Sequence, residues 1–420
     1  MENEKKGILY QAMDIETRKK FIRHRERRAS IFETEETNNL AAYIASEECV
    51  NDLRKLIERD YTMPPPYHYR VSKNLSARKR EVYAYKGNYK YLLQLIAYCM
   101  RDYEYIFSDG LYSFRSSQNA KDFLRKLKNY EHLQDYYIVK VDVSNYVASI
   151  VPERIIPKLE ELFKGDDSFI DLLKYLLLRR ECIERDGSVV SCNPGGLGGI
   201  PQGNLFMNVY LMDLDDYFYP RSPMYCRYSD DIIIFAQSRQ EAEEYKEHVL
   251  KVIEEKELST NPEKTCLIEP GGEVDILGFR LKDGEIDMAL HSKLKFKRKI
   301  RQRANKLLRL KRVKGWSDEE CGRQMVQYCT RLFFGGEQFQ SLTWSRWLFP
   351  IITDTTFLKE LDHYMQDAIR YCICGSMSDK RYRITYEDLQ KLGYISLVHA
   401  YYHFIRPDFS NPESTDHVES

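Results

Sequence analysis

The chain has 420 residues, 43% of them hydrophobic and 13% aromatic, enough for a buried core spread over two or three subdomains. Its 64 basic and 64 acidic residues cancel, so nucleic-acid binding cannot be argued from net charge and needs local clusters. The ten cysteines show no CxxC spacing, and there is no signal peptide or 18-residue apolar run. They read as apolar filler in a reducing cytoplasm, with no membrane segment.

Residues 1–69 read as a helical N-terminal extension, polar and helix-prone, with the basic stretch TRKKFIRHRERRAS at Thr17 to Ser30 as a candidate RNA contact. MPPPY at Met63 to Tyr67 breaks helices and reads as a linker. From Arg70 to about Leu281, short β-rich runs alternate with helical stretches. In YYIVKVDVSNYVASI the alternation predicts a strand with Asp142 near its exposed end. MYCRYSDDIIIFAQ predicts two strands, Met224 to Tyr228 and Ile232 to Ala236, joined by a tight turn. From His291 the pattern turns helical and basic; Lys293 to Lys314 holds twelve Lys or Arg and no acid. Such a face repels itself, and a phosphate backbone would relieve the repulsion by counterion release. Lys293, Lys297, Arg301 and Lys311 are its candidate nucleic-acid contacts. Residues 406–420 read as a flexible tail.

The adjacent Asp230 and Asp231 call for an explanation. At ~4 Å two carboxylates repel by about 1 kcal/mol even in bulk water, and more when partly buried. Asp142, on a neighbouring strand, supplies a third. Three carboxylates converging from two strands suit hard divalent cations, which take oxygen ligands and complete their shells with substrate phosphates. The tetrapeptide YSDD alone is weak, since a Y-x-D-D match arises by chance in roughly one such chain in seven.

The chain resembles the reverse transcriptases of bacteria over about Arg70 to Leu281, in family order. RKREVYAY from Arg78 resembles the basic fingers segment, and SDGLYSFRSSQNAKDF, Ser108 to Phe123, the block that follows. KVDVSNYVASI resembles the motif of the first catalytic aspartate, and GGIPQGN from Gly198 the glycine-rich template and nucleotide loop. YSDD, NPEKT at Asn261 to Thr265 and the hairpin ILGFRL from Ile276 complete the series. The aromatic-rich region beyond Trp316 resembles the tails of the unclassified, defence-associated single-gene type, related to retron and group II intron enzymes.

The resemblance implies an α+β right-hand polymerase. Fingers and a palm built on a ferredoxin-like antiparallel sheet would span 70–285, and a helical basic thumb and C-terminal region 286–405. It implies two Mg²⁺ ions, with Mn²⁺ as the alternative, on Asp142, Asp230, Asp231 and the Val143 carbonyl. Lys264 becomes a proton donor to pyrophosphate. Arg78, Lys79 and Arg80 become triphosphate contacts, and Gln202 and Gly203 cover the templating pair. The partners are dNTPs, a structured noncoding RNA template and the RNA/DNA hybrid product, in antiphage defence. The alternatives are an RNA-templated RNA polymerase or untemplated nucleotidyltransferase, and a catalytically idle RNA-binding scaffold.

Two departures stand out. The family usually places an aromatic residue five positions after the first aspartate, against the sugar 2′ position. Here that position is Val147, and the aromatic, Tyr146, comes one place early. A smaller side chain leaves room for a 2′-hydroxyl, unless Tyr146 swings round to fill the gap. The segment after GIPQGN is also about four residues short, close to one helical turn.

Overall fold

The computed structural model describes residues 7–27, 34–72, 79–335, 343–376 and 378–405. Arg78 lies outside them, as do residues 28–30 of the basic N-terminal stretch and the expected tail. By its own packing the chain forms two compact units, one of residues 1–120 and 136–269, the other of 121–135 and 270–420. This division differs from boundaries at 70 and 286: the N-terminal helices belong to the first unit's body, and 121–135 joins the second.

The first unit opens with helices α1 (Ile8–Met13), α2 (Ile15–Glu26), α3 (Thr34–Ala45) and α4 (Glu47–Ile57). Asp14 caps α2 by accepting from the Thr17 amide at 2.8 Å, and Ser46 caps α4 by accepting from Cys49. Ile8, Leu9, Phe21, Leu40 and Leu53 join the same buried cluster as palm residues such as Val139 and Ile232. The prolines after α4 precede β1 (Tyr67–Ser72) and β2 (Lys79–Ala84), an antiparallel pair, and then comes α5 (Gly87–Cys99). Helix α6 (Ala120–Lys128) lies in the second unit from Lys121 onward.

Strand β3 (Tyr137–Asp142) is followed by α7 (Pro152–Leu162), α8 (Asp167–Leu178), β4 (Glu181–Ile183) and β5 (Val189–Ser191). Next come α9 (Pro201–Tyr210), α10 (Met212–Phe218), β6 (Tyr225–Tyr228), β7 (Asp231–Ala236), α11 (Arg239–Glu255) and β8 (Cys266–Ile268). Among the described residues, one sheet runs β6-β7-β3-β8, antiparallel throughout, with α11 packed on it between β7 and β8 in sequence. That order and connection are ferredoxin-like. Ile232, Ile233, Ile234 and Phe235 are all fully buried, as expected of an unbroken apolar strand covered on both faces. A second sheet runs β2-β1-β4-β5.

The second unit holds the meander β9 (Val274–Ile276), β10 (Phe279–Lys282) and β11 (Glu285–Met288), then α12 (Leu290–Lys314), α13 (Asp318–Phe334) and α14 (Trp344–Leu348). It ends with α15 (Thr356–Cys374), α16 (Tyr386–Lys391) and α17 (Leu397–Ile405). Helix α12 buries Phe296, Ile300, Ala304 and Leu307, spaced at helical period, and stops at Gly315, whose φ of 66° suits a left-handed cap.

The basic helix is not unpaired, as its own sequence suggested. Lys293 binds Asp287, Lys297 binds Glu360, and Lys311 meets Asp318 at 2.5 Å and the Ile373 carbonyl at 2.9 Å. The acids come from β11, α15 and α13 rather than from α12 itself. Three of the four expected contacts, Lys293, Lys297 and Lys311, therefore hold the unit together. Arg301 is exposed, with Lys295, Arg298, Lys299, Lys306 and Arg309.

Candidate active site

Strand β3 ends on Asp142, and its partner in register on β7 is Asp231. The Val143 amide donates to the Asp230 carbonyl at 2.9 Å. This makes Asp142 and Asp231 a non-hydrogen-bonded pair, the position where side chains of facing strands approach most closely. Asp230 sits in the two-residue turn between β6 and β7. Ser229, the turn's first central residue, has φ 58° while Asp230 does not. Positive φ at that position alone is the pattern of a type II′ hairpin turn, here without the usual glycine.

Asp142 is only 6% exposed, so the strand end is capped rather than open. The cap is the segment after α11. Asn261 donates its amide to the Asp142 carbonyl at 2.8 Å, and Ser144 donates to the Ser259 carbonyl at 2.7 Å. That docking brings Lys264 round, and its Nζ donates to Asp142 Oδ2 at 2.8 Å. Burial draws the Lys264 ammonium down, but Asp142, Asp231 and Asp230 outweigh it and hold it above the usual lysine range. Burial, with Asp230 and then Asp142 beside it, pushes the Asp231 carboxyl up to about 6, although Lys140 and Lys264 oppose the shift.

The donor set consists of hard carboxylate oxygens, crowded enough to raise one member's proton affinity. Residues of this kind fit a magnesium-like divalent cation, which would relieve the crowding that burial creates. Asp142, Asp230 and Asp231 would hold it, with the Val143 carbonyl as the proposed further ligand.

Around this corner the expected residues divide. Tyr146 is buried and its hydroxyl donates to the Met207 carbonyl at 2.5 Å. It faces the interior, where burial raises its phenol above the usual range, and does not swing toward a nucleotide. Val147 is half-buried and its carbonyl accepts from the Gly196 amide at 2.7 Å. A Cβ placed on Gly198 would lie 3.0 Å from Val147 Cγ1, and one on Gly199, at φ 122°, would lie 2.5 Å from the Tyr83 carbonyl oxygen. The glycines thus let the loop run between Val147 and β2, where Lys79 and Arg80 are exposed.

Gln202 and Gly203, expected to cover the templating pair, are both buried. Gln202 is 0% exposed and its Nε2 donates to the Leu93 carbonyl at 2.8 Å, pinning the start of α9 to α5. A Cβ on Gly203 would lie 2.6 Å from the Leu197 carbonyl oxygen. Both pack the loop from within.

Sequence reasoning missed Arg227. It is fully buried one residue before the YSDD tetrapeptide, with Nε 2.7 Å and Nη2 2.5 Å from the two oxygens of Asp215. Nη2 also donates to the Asn208 carbonyl at 2.8 Å, and Tyr225 donates its hydroxyl to Asp215 at 2.8 Å. The network ties the YSDD hairpin to α9 and α10. An arginine at an inward position of an apolar strand was the available signal, since such a charge requires a partner.

A corner of three carboxylates on a ferredoxin-like palm sheet defines the nucleotidyl-transfer class of polymerase palms. Residues 73–281, just under half of the chain, match the family described as reverse transcriptase (RNA-dependent DNA polymerase), so the chain carries a reverse transcriptase domain. It is similar to the retron Ec86 reverse transcriptase of Escherichia coli, with 20% identity over 209 residues, 48% of this chain and 62% of that protein. The chain thus matches less than two thirds of that relative's length. A solved apo telomerase from Candida tropicalis, truncated from its C-terminal domain, aligns with TM-score 0.41 and 12% identity over 58% of this chain and 60% of that one. No helix of the described residues is long and apolar enough to cross a membrane.

Proposed function

We propose that the chain is an RNA-directed DNA polymerase that extends a primer 3′ end with dNTPs. The observation that carries this reading is the register pairing of Asp142 with Asp231, with Asp230 in the adjoining turn and Lys264 on Asp142. Two Mg²⁺ ions held there would activate the attacking 3′-oxygen and stabilise the leaving pyrophosphate. The residues of the chain do the rest. Lys264 stands beside the metal-binding carboxylates, positioned to donate a proton to pyrophosphate. Lys79 and Arg80 offer charge for the triphosphate, with Arg78 as an expectation of the family resemblance. Fingers and palm would span 70–285 and the thumb 286–405, with the exposed arginines and lysines of α12 on the product duplex.

Primer extension on an RNA template with dNTPs tests the proposal. Asp142→Asn should abolish extension while leaving the circular dichroism spectrum unchanged, and full extension by that variant would overturn the assignment. A structured noncoding RNA template, a cytoplasmic setting and a role in antiphage defence follow from the resemblance to defence-associated enzymes. Sequencing nucleic acid that copurifies with the active protein tests the template. A second reading, ribonucleotide polymerisation, is favoured by one observation: Tyr146 is turned inward, and the smaller Val147 stands beside Gly198 of the glycine loop.

A further inference from the structure

The sheet β2-β1-β4-β5 has a weak joint at its centre. Strands β1 and β4 share a single register pair, Tyr67 with Ile183, supported by the Ile183 amide donating to the Pro66 carbonyl at 2.9 Å. A side-chain cluster lies at this joint. Strand alternation puts His68 on one face of β1, and Cys182 and Glu184 on the same face, flanking Ile183. A ring nitrogen of His68, the Cys182 Sγ and a Glu184 carboxylate oxygen lie within 4.8 Å of one another. His68 and Cys182 are buried, and His68 Nδ1 lies 2.7 Å from Glu184 Oε1.

Two further residues complete the pattern. Cys182 pairs with Val190 on β5, so Cys192 shares its face, and the two thiols adjoin. On the other side, His68 Nε2 meets Glu81 of β2. A carboxylate on the second ring nitrogen is the arrangement that fixes the tautomer of a metal-binding histidine and turns the first nitrogen, here Nδ1 beside Glu184, toward the ion.

We propose that this cluster is a structural zinc site, with His68, Cys182 and Glu184 as ligands, Cys192 as the fourth donor and Glu81 orienting the imidazole. Mixed nitrogen, sulfur and carboxylate donors in a closed tetrahedral set suit Zn²⁺ better than the magnesium expected at the aspartates. The ion would staple the β1–β2 hairpin, which carries Lys79 and Arg80, onto the β4–β5 hairpin where backbone pairing is thinnest. The motif is invisible to spacing rules because its ligands come from strands more than a hundred residues apart.

The test uses the full chain, purified without a metal-binding tag or chelator. Elemental analysis should find about one zinc per chain. Exchange with cobalt should produce a thiolate-to-cobalt charge-transfer band, which a carboxylate site cannot give. The band should fall to about half in Cys182→Ser, vanish in the double variant Cys182→Ser with Cys192→Ser, and persist in Cys266→Ser, whose thiol is exposed and outside the cluster. Glu81→Gln should weaken zinc binding about 10–100-fold. Should Cys182→Ser fail to fold, the cobalt spectrum of the wild-type chain still decides. A chain that takes up no zinc and shows no thiolate band would overturn the proposal, leaving His68 as an imidazolium between Glu81 and Glu184. Neither result depends on polymerase activity.

Discussion

Lys264 Nζ stands 2.8 Å from Asp142 Oδ2, so one carboxylate of the candidate site is already paired with a cation from the chain itself. The same lysine has two opposing effects. It competes with divalent cations for Asp142, and it is the nearest candidate acid for the leaving pyrophosphate. Lys264→Met should lower the Mg²⁺ concentration needed for half-maximal rate. It should also reduce the single-turnover rate by about 10²–10⁴-fold, the range for loss of a general acid. Magnesium titrations of both proteins in a single-nucleotide assay check it; an unchanged rate would leave the ammonium a purely electrostatic role.

Asp231 carries the pH dependence. Its carboxyl, pushed up to about 6 mainly by burial, binds a proton more tightly in the folded than in the unfolded chain. Between about pH 4 and 6 the native state therefore holds the extra proton. Stability falls as pH rises through that window, and the cost, at most about 3 kcal/mol, is fully present above it. In EDTA, Asp231→Asn should raise Tm near neutral pH and have little effect near about pH 4. Magnesium affinity of the wild type should weaken as pH drops through about 6, since ligands must be deprotonated.

The buried Arg227–Asp215 pair makes a different demand. Asp215→Ala leaves a guanidinium with 0% exposure and no counterion, a change that costs about 3–5 kcal/mol. Chemical denaturation should show that loss, together with reduced extension because the YSDD hairpin loses its anchor to α10. A loss under about 1 kcal/mol would mean that water reaches Arg227 once Asp215 is gone.

Much of the palm was legible in the sequence because alternation and apolar runs report strands directly. YIVKVD and DIIIFA form β3 and β7 as their patterns require, and Asp142, Asp230 and Asp231 come together at their ends. What was not legible depends on tertiary neighbours. The acids that answer α12 lie on β11, α13 and α15, so a helix without internal acids looked unpaired. Gln202 looked like a nucleotide contact within G-x-P-Q-G, yet the tight glycine loop turns it toward Leu93. The burial of Asp142 was equally hidden, since its cover arrives from Asn261, more than a hundred residues later.

The correction to the basic helix changes what mutagenesis should do. Reversing the exposed Lys299, Arg301 and Lys306 to Glu should weaken binding to an RNA/DNA duplex. It should also flatten the plot of log affinity against log salt, by about 0.9 for each phosphate that the helix no longer neutralises. Replacing Lys293, Lys297 and Lys311 by Ala should instead lower Tm, since Asp287, only 3% exposed, loses a partner. Fluorescence anisotropy across a salt series, with melting curves for both variants, separates the two sets. A slope unchanged by the exposed reversals would remove α12 from the nucleic-acid interface.

The choice of sugar turns on Tyr146 and Val147. Tyr146 is buried with its hydroxyl on Met207, so Tyr146→Phe should cost about 1 kcal/mol of stability and leave the ratio of dNTP to rNTP use unchanged. Val147 touches the position of Gly198 and is partly exposed. Enlarging it to Phe should place an aromatic edge against the sugar and cut ribonucleotide use. A steric difference of that kind is worth about 1–3 kcal/mol, or about 10–200-fold in discrimination. The measurement is single-nucleotide incorporation with dNTP and rNTP on one primed RNA template, for wild type and both variants. If Val147→Phe depresses both activities equally, the ring has instead pushed the glycine loop aside, and sugar choice must rest on residues other than Val147.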